Sequence, residues 1–214
     1  MRTICKSIIC PACHSFCGAF LLICTIAHAQ NLFESDYNSG NINEFTPGGA
    51  LSTFAFGLSP SGLAFNNSGN LFEADAGSGN IYQFTLGGAQ STFASGLNSP
   101  SGLAFNSAGN LFVADYSGNI YEYTPSGVKS TFASGLNDLC GLAFNSAGDL
   151  FVSCYYSGYI YKFTPDGTQS TFASGLNYPT FLAFEPVPEP SALGLLAVGI
   201  TALLLLLRRR NLAT

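Results

Sequence analysis

A repeat of about 40 residues, the length of one small supersecondary unit, runs through the middle of this chain and leaves few folds open to it. The word GLAF stands at Gly62–Phe65, Gly102–Phe105 and Gly141–Phe144, and decays to Phe181-Leu182-Ala183-Phe184. A second word, Asn/Asp-Leu-Phe, begins at Asn31, Asn70, Asn110 and Asp149, at nearly even spacing. A third, STFA, begins at Ser52, Ser91, Ser130 and Ser170. A fixed period of this size marks a repeat architecture, in which each unit buries its faces only against its neighbours.

Within a repeat, four short runs are separated by turn residues. In the clearest copy they are Leu103–Asn106, Asn110–Asp115, Asn119–Thr124 and Lys129–Ala133, with Ser107-Ala108-Gly109, Tyr116-Ser117-Gly118 and Pro125-Ser126-Gly127 between them. Gly and Asn permit the positive φ of tight hairpins, and Pro fixes a turn entry. The runs are rich in Phe, Tyr, Leu, Val and Thr, which suit a pleated surface. Four antiparallel strands in each repeat make the blade of a β-propeller. The predicted fold is therefore all-β, a small propeller of four four-stranded blades. The repeats open on a second strand, at Asn31-Leu32-Phe33, and close on a first strand, at Leu182-Ala183-Phe184. That phase predicts a ring closed by pairing of the two ends, which removes exposed sheet edges. Phe65, Phe105, Phe144, Phe184, Phe72, Phe112 and Phe151 are expected to pack between blades, each contributing a few kcal/mol, on the order of 25 cal/mol per Å² of apolar area.

The ends of the chain differ from its middle. Residues 1–29 read as a secretory signal peptide: Arg2 and Lys6, an apolar run from Phe16 to Ile26, and an A-x-A site at Ala27-His28-Ala29. Five of the seven cysteines lie in this leader. Cys10-Pro-Ala-Cys13-His14 has the spacing of a haem-attachment or zinc motif, but it precedes the cleavage site with no domain around it. Removing the leader removes both histidines, His14 and His28. Ser–His–Asp and Cys–His mechanisms and His-ligated zinc are then excluded. Between Gln30 and Val187 eleven Asp and Glu face only Lys129 and Lys162, a net charge of −9. Such a surface repels a phosphate backbone, so nucleic acid is not an expected partner.

The words Gly102-Leu-Ala-Phe105, Gly109-Asn-Leu-Phe-Val-Ala-Asp115 and Gly118-Asn-Ile-Tyr121 resemble the NHL-type propeller repeats. More distantly they resemble gluconolactonase-like and streptogramin-lyase-like propellers. The likeness covers residues 31–184. Relatives of this kind usually have six or seven blades, so four imply either a small closed ring or a partial one completed by a second copy. The family's enzymes use His or metal-binding acidic residues in the central channel. No matching set is present, so the resemblance carries the fold and not the activity.

Three departures among the repeats mark candidate sites. Asp36, Asp75 and Asp115 share one position at the end of the second strand. They either ring one face and hold a hard cation such as Ca²⁺, or each caps its own turn by accepting backbone N–H bonds. Glu34 and Glu73 stand where the other two blades have Val113 and Val152. A carboxylate there is costly unless paired or wet, which points to a cleft between the first two blades. Cys140 and Cys154 replace a Ser and the repeat Asp; pairing of Asn145 with Asp149 across the Ser146-Ala147-Gly148 turn sets them opposite one another. In an oxidising compartment that predicts either a disulfide or two buried thiols.

After Phe184 the composition changes. Residues 185–190 form a linker containing Pro188-Glu189-Pro190. Residues 191–214 hold an apolar run of 17 residues, Ser191 to Leu207, followed by Arg208-Arg209-Arg210. Physically this is a short transmembrane helix with its basic end in the cytoplasm. The order Pro-Glu-Pro, apolar helix, basic cluster closely resembles the PEP-CTERM sorting signal of exopolysaccharide-producing Gram-negative bacteria. The resemblance implies an inner-membrane precursor, an exosortase that removes the helix, and delivery to the cell surface or extracellular matrix. A permanent single-span anchor is the alternative. Three functions follow: a propeller that binds exopolysaccharide or matrix proteins, a structural matrix component, or a lactonase- or lyase-like enzyme. The missing His argues against the last.

Overall fold

The strands form where the repeat places them. The computed structural model describes residues 30–185, which contain fifteen strands and no helix. Blade 1 consists of β1 (Leu32–Asp36), β2 (Asn41–Phe45) and β3 (Leu51–Phe56). Blade 2 consists of β4 (Pro60–Phe65), β5 (Leu71–Asp75), β6 (Asn80–Phe84) and β7 (Gln90–Ala94). Blade 3 consists of β8 (Leu103–Phe105), β9 (Leu111–Asp115), β10 (Asn119–Tyr123) and β11 (Lys129–Ala133). Blade 4 consists of β12 (Leu139–Phe144), β13 (Leu150–Cys154), β14 (Tyr159–Phe163) and β15 (Gln169–Ala173). All pairs are antiparallel and join sequence neighbours. The expected signal peptide, the Pro188-Glu189-Pro190 motif, the apolar run and Arg208–Arg210 lie outside the described residues. No helix of the described residues is long and apolar enough to cross a membrane.

The blades stack through one repeated aromatic ladder. The second-strand Phe meets the fourth-strand Phe of its own blade and the first-strand Phe of the next. Phe33 lies 5.1 Å from Phe54 and 5.2 Å from Phe65. Phe72 lies 5.1 Å from Phe93 and 5.0 Å from Phe105, and Phe112 lies 5.0 Å from Phe132 and 4.9 Å from Phe144. The fourth-strand rings then reach the third strand of the following blade, as Phe54 on Phe84, Phe93 on Tyr123 and Phe132 on Phe163. Edge-to-face pairs at these separations add to the simple burial of area. Between the ladders three apolar clusters fill the inter-blade spaces, around Ile42 and Leu71, around Ala74 and Val113, and around Ala114 and Val152.

The pairing expected between the ends of the chain is not formed. Among the described residues blade 1 keeps three strands, and β1 pairs only with β2. Residues 181–185 are not in a strand but lie against blade 4: the Ser153 hydroxyl donates to the Thr180 carbonyl, and Phe184 stacks 4.9 Å from Phe151. That is the relation each first strand has to the blade before it. The segment therefore sits where a fifth blade would begin. Stacking carries the chain forward around an arc and does not bend it back far enough to reach β1.

Candidate functional site

Two sets of loops meet at one end of every blade. The turn after the second strand accepts a backbone hydrogen bond from the connector leaving the fourth: Leu58 N to Gly40 O, Leu97 N to Gly79 O, Leu136 N to Gly118 O and Leu176 N to Gly158 O. The approach is close enough that a Cβ on Gly118 would stand 2.0 Å from the Leu136 carbonyl, at φ +83°.

The three repeat Asp residues hold these loops. The Asp75 carboxylate accepts from Ser59 N at 2.8 Å and from Ser78 N at 2.7 Å. That of Asp115 accepts from Asn98 N at 2.7 Å, from Ser117 N at 2.8 Å and from the Ser117 hydroxyl. In each case one oxygen takes the turn and the other takes the connector entering the same blade. Among the described residues Asp36 takes its own turn alone, accepting from Asn38 N and Ser39 N through Oδ1; hydrogen bonds from Ser39 and Asn38 lower its pKa. These carboxylates do not converge. Among the described residues no group of three or more His, Cys, Asp or Glu is placed to hold a metal ion. The geometry is that of the turn cap, not of a Ca²⁺ ring.

Glu34 and Glu73 do not share a cleft. The position faces the preceding blade, as Val113 and Val152 show by packing into the clusters between blades 2 and 3 and blades 3 and 4. Glu73 therefore points at blade 1, whereas Glu34 points away from blade 2, where it accepts from the Asn43 amide at 2.8 Å. Glu73 is 0 % exposed, and neither of its carboxylate oxygens has a partner. Desolvation, with a smaller contribution from Asp75, pushes its pKa up to about 8.

Cys140 and Cys154 are both free thiols, and a bulge changes their register. Leu139 stands opposite Cys154 and the ladder resumes at Leu142 opposite Val152, so Cys140 and Gly141 share the irregularity. The first strand of blade 2 slips in the same way between Pro60 and Leu63. Burial pushes the Cys154 thiol up to about 11 and raises Cys140 as well. At pH 8 on the order of one Cys154 thiol in a thousand is then ionised. Iodoacetamide labelling read by mass spectrometry is expected to leave Cys154 unmodified in the native protein and to modify it after denaturation. Loss of both thiols in denaturant without reductant would show a bridge instead.

Tyrosines on this loop-bearing end escaped the sequence reading. Tyr155, Tyr156 and Tyr178 form one cluster, with ring centroids 4.8, 5.0 and 6.1 Å apart. Tyr155 is half-buried beneath the other two, which are exposed. Tyr37 and Tyr116 occupy the corresponding turns of blades 1 and 3 and are exposed too. The signal was available: blade 4 has Tyr-Tyr where the other turns carry one Tyr or Ala76. At the other end, a cleft of about 290 Å³ between blades 3 and 4 is lined by Phe112, Phe132, Phe144, Glu122 and Asp166. Both acids are engaged, Glu122 by the Asn110 amide and Asp166 by Thr164 and Thr168.

Residues 186–210 match the PEP-CTERM protein-sorting motif. This signal belongs to exported, membrane-anchored precursors processed by an exosortase, and the chain carries it. No curated protein matches the chain in sequence. Among solved structures, the arc is similar to a chain of a nidogen/laminin complex, at 21 % identity and TM-score 0.65, over 72 % of this chain and 65 % of that one. It is also similar to a putative gluconolactonase, at 18 % and 0.63, over 71 % and 63 %. A third neighbour is a catalytically inactive virginiamycin B lyase from Staphylococcus aureus with quinupristin, at 16 % and 0.63, over 73 % and 57 %. These likenesses show the propeller fold. The chain spans between about half and two thirds of the length of the solved chains it matches.

Proposed function

We propose that this protein is a non-enzymatic binding propeller that takes a glycan on its tyrosine-rich end, at the cell surface or in the extracellular matrix of a Gram-negative bacterium. The observation that carries this reading is the Tyr155–Tyr156–Tyr178 cluster, three rings in mutual contact with two of them open to solvent. Aromatic rings of this kind offer a flat apolar face with a polar tip, which suits the C–H faces and hydroxyls of a sugar. The net charge of −9 between Gln30 and Val187 favours a neutral or amine-bearing polymer over an anionic one. Two features support a non-catalytic role. Residues 30–185 contain no His. Glu73, the carboxylic acid whose pKa lies near neutrality, is sealed from any substrate.

Binding of the exported protein to neutral, amine-bearing and anionic polysaccharides tests this. A triple change of Tyr155, Tyr156 and Tyr178 to Ala is expected to weaken binding at least ~10-fold, as stacked aromatic contacts of about 1 kcal/mol each imply, while leaving the fold intact by circular dichroism. Undiminished binding by that variant, or turnover of a lactone by the unmodified protein, would sink the reading.

A further inference from the structure

The two ends of the arc are copies of surfaces that already mate three times inside the chain. At the first-blade end, Leu32 is 66 % exposed, whereas its equivalents Leu71, Leu111 and Leu150 are 2 % or less. Phe45 is only half-buried and meets no other ring among the described residues, whereas Phe84, Tyr123 and Phe163 are buried, each under the fourth-strand ring of the blade before. At the fourth-blade end, Phe172 is 62 % exposed and has no ring of the described residues beyond it; its equivalents Phe54, Phe93 and Phe132 are part-buried. Leu176 is 41 % exposed, against 8 % for Leu97 and Leu136. One end is thus an unused acceptor face, and the other an unused donor face.

The backbone is left over in the same complementary way. Among the described residues blade 1 lacks its first strand and an edge of β1 is unpaired, while residues 180–184 hold a first strand's place with no blade of their own. An unpaired edge of this kind is a template for another chain. Among the described residues the second oxygen of Asp36 has no donor, where Asp75 and Asp115 hold the connector entering their blade; the corresponding connector residue here is Asn177. The arc covers 57 % and 65 % of two solved propeller chains it resembles, and its own two ends are not paired with one another.

We propose that two copies of this chain associate head to tail into a closed ring, each adding residues 180–184 to the other's blade 1 as its missing first strand. The repeat fixes the register. Leu63, Ala64 and Phe65 stand opposite Glu73, Phe72 and Leu71. By the same alignment, Leu182, Ala183 and Phe184 of one copy stand opposite Glu34, Phe33 and Leu32 of the other. Phe172 then covers Phe45 of the second copy, and Asn177 N donates to its Asp36. The interface is heterologous, and only ring closure keeps such a contact from growing into a filament.

Cysteine bridging and solution mass test this with the exported chain lacking residues 1–29 and their five cysteines, extracted in detergent and oxidised mildly. The pair Leu32→Cys with Phe184→Cys is expected to give a covalent dimer on a non-reducing gel, and the unmodified chain none. Mixing the two single variants is expected to give the dimer, while neither single variant does so alone. An internally bridged monomer would mean closure within one chain, and a dimer from either single variant would mean face-to-face pairing; each overturns the proposal. So would the absence of any bridge. The unmodified chain is expected to show twice the monomer mass by light scattering, and a ladder of larger species would refute the closed ring. Leu32→Asp alters only an exposed side chain of the single copy, so folding is preserved; it is expected to weaken association at least ~30-fold, as loss of a buried anchor does.

Discussion

Replacing Glu73 with valine is expected to raise the thermal unfolding midpoint at pH 7 by roughly 10 °C, the shift that about 3 kcal/mol gives in a domain of this size. The cause is the carboxylate sealed between blades 1 and 2 without a hydrogen-bond partner. In the unfolded chain it ionises near 4.5, in the fold near 8. Between those values the native state holds a proton that the unfolded state has released, so stability falls as pH rises. Over the 2.5 units from pH 4.5 to 7 the loss is about 3 kcal/mol, at 1.36 kcal/mol per unit. Above pH 8 the native carboxylate ionises as well and the decline ends. Valine fits because Val113 and Val152 fill the same position fully buried. Urea melts from pH 5 to 9 check this: the wild type weakens with pH and Glu73→Val does not. Parallel slopes for the two proteins would mean that the carboxylate finds a partner in solution. Asp36, Asp149 and Asp166, whose pKa values are lowered by hydrogen bonds, act in the opposite sense; whatever stability they add is present above 3.8 and lost in acid.

Much of this was open to the sequence, and the exceptions have physical reasons. Strand positions follow from local chemistry, alternating aromatics bounded by Gly and Asn, so Asn119 and Lys129–Ala133 fall where expected. The phase of the repeat also identified which strand is missing and which is spare. It could not say whether one chain bends enough to join them. The number of blades in a ring depends on the rotation between neighbours, a property of whole packed interfaces and not of any word in the repeat. The opposition of Cys140 to Cys154 failed for a smaller reason. One bulge, where Gly141 N turns to the Ser153 hydroxyl at 2.8 Å, shifts the ladder by a residue that counting cannot see. Glu34 and Glu73 stood out as exceptions, but the faces they serve became visible only once the blades were stacked. The tyrosine cluster was missed because Tyr155 and Tyr178 are far apart in the chain, and only the connector folding back on the turn brings them together.

Gly102→Ala is expected to destabilise the arc by about 3 kcal/mol, at the upper end of the cost of overpacking. Its backbone has an ordinary φ, so the cost is steric: a Cβ there would lie 2.3 Å from the Cys140 carbonyl and 3.2 Å from Leu142 N. Both are backbone atoms of the neighbouring blade and have no side chain's freedom to move aside. Gly141→Ala meets the same geometry one blade later, 2.3 Å from the Thr180 carbonyl and 2.9 Å from the Phe181 Cα. The consequence differs, because apart from the Ser153 hydroxyl at 3.0 Å, a rotatable side-chain atom, what must yield there is the terminal segment and not a neighbouring sheet. Gly141→Ala is therefore expected to lower the unfolding midpoint only slightly, yet to speed amide exchange and proteolysis at Phe181–Phe184. Because that segment is the strand proposed to enter a second copy, the same substitution is expected to abolish the dimer while the four blades stay folded. Gly102→Ala should instead lower stability whether or not copies associate. If Gly141→Ala costs as much as Gly102→Ala, residues 180–184 belong to the cooperative fold of one chain and are not a free donor strand. If it leaves both the segment and the dimer intact, the inter-blade approach at Thr180 is looser than the one at Cys140, and the terminal segment is not held as a first strand.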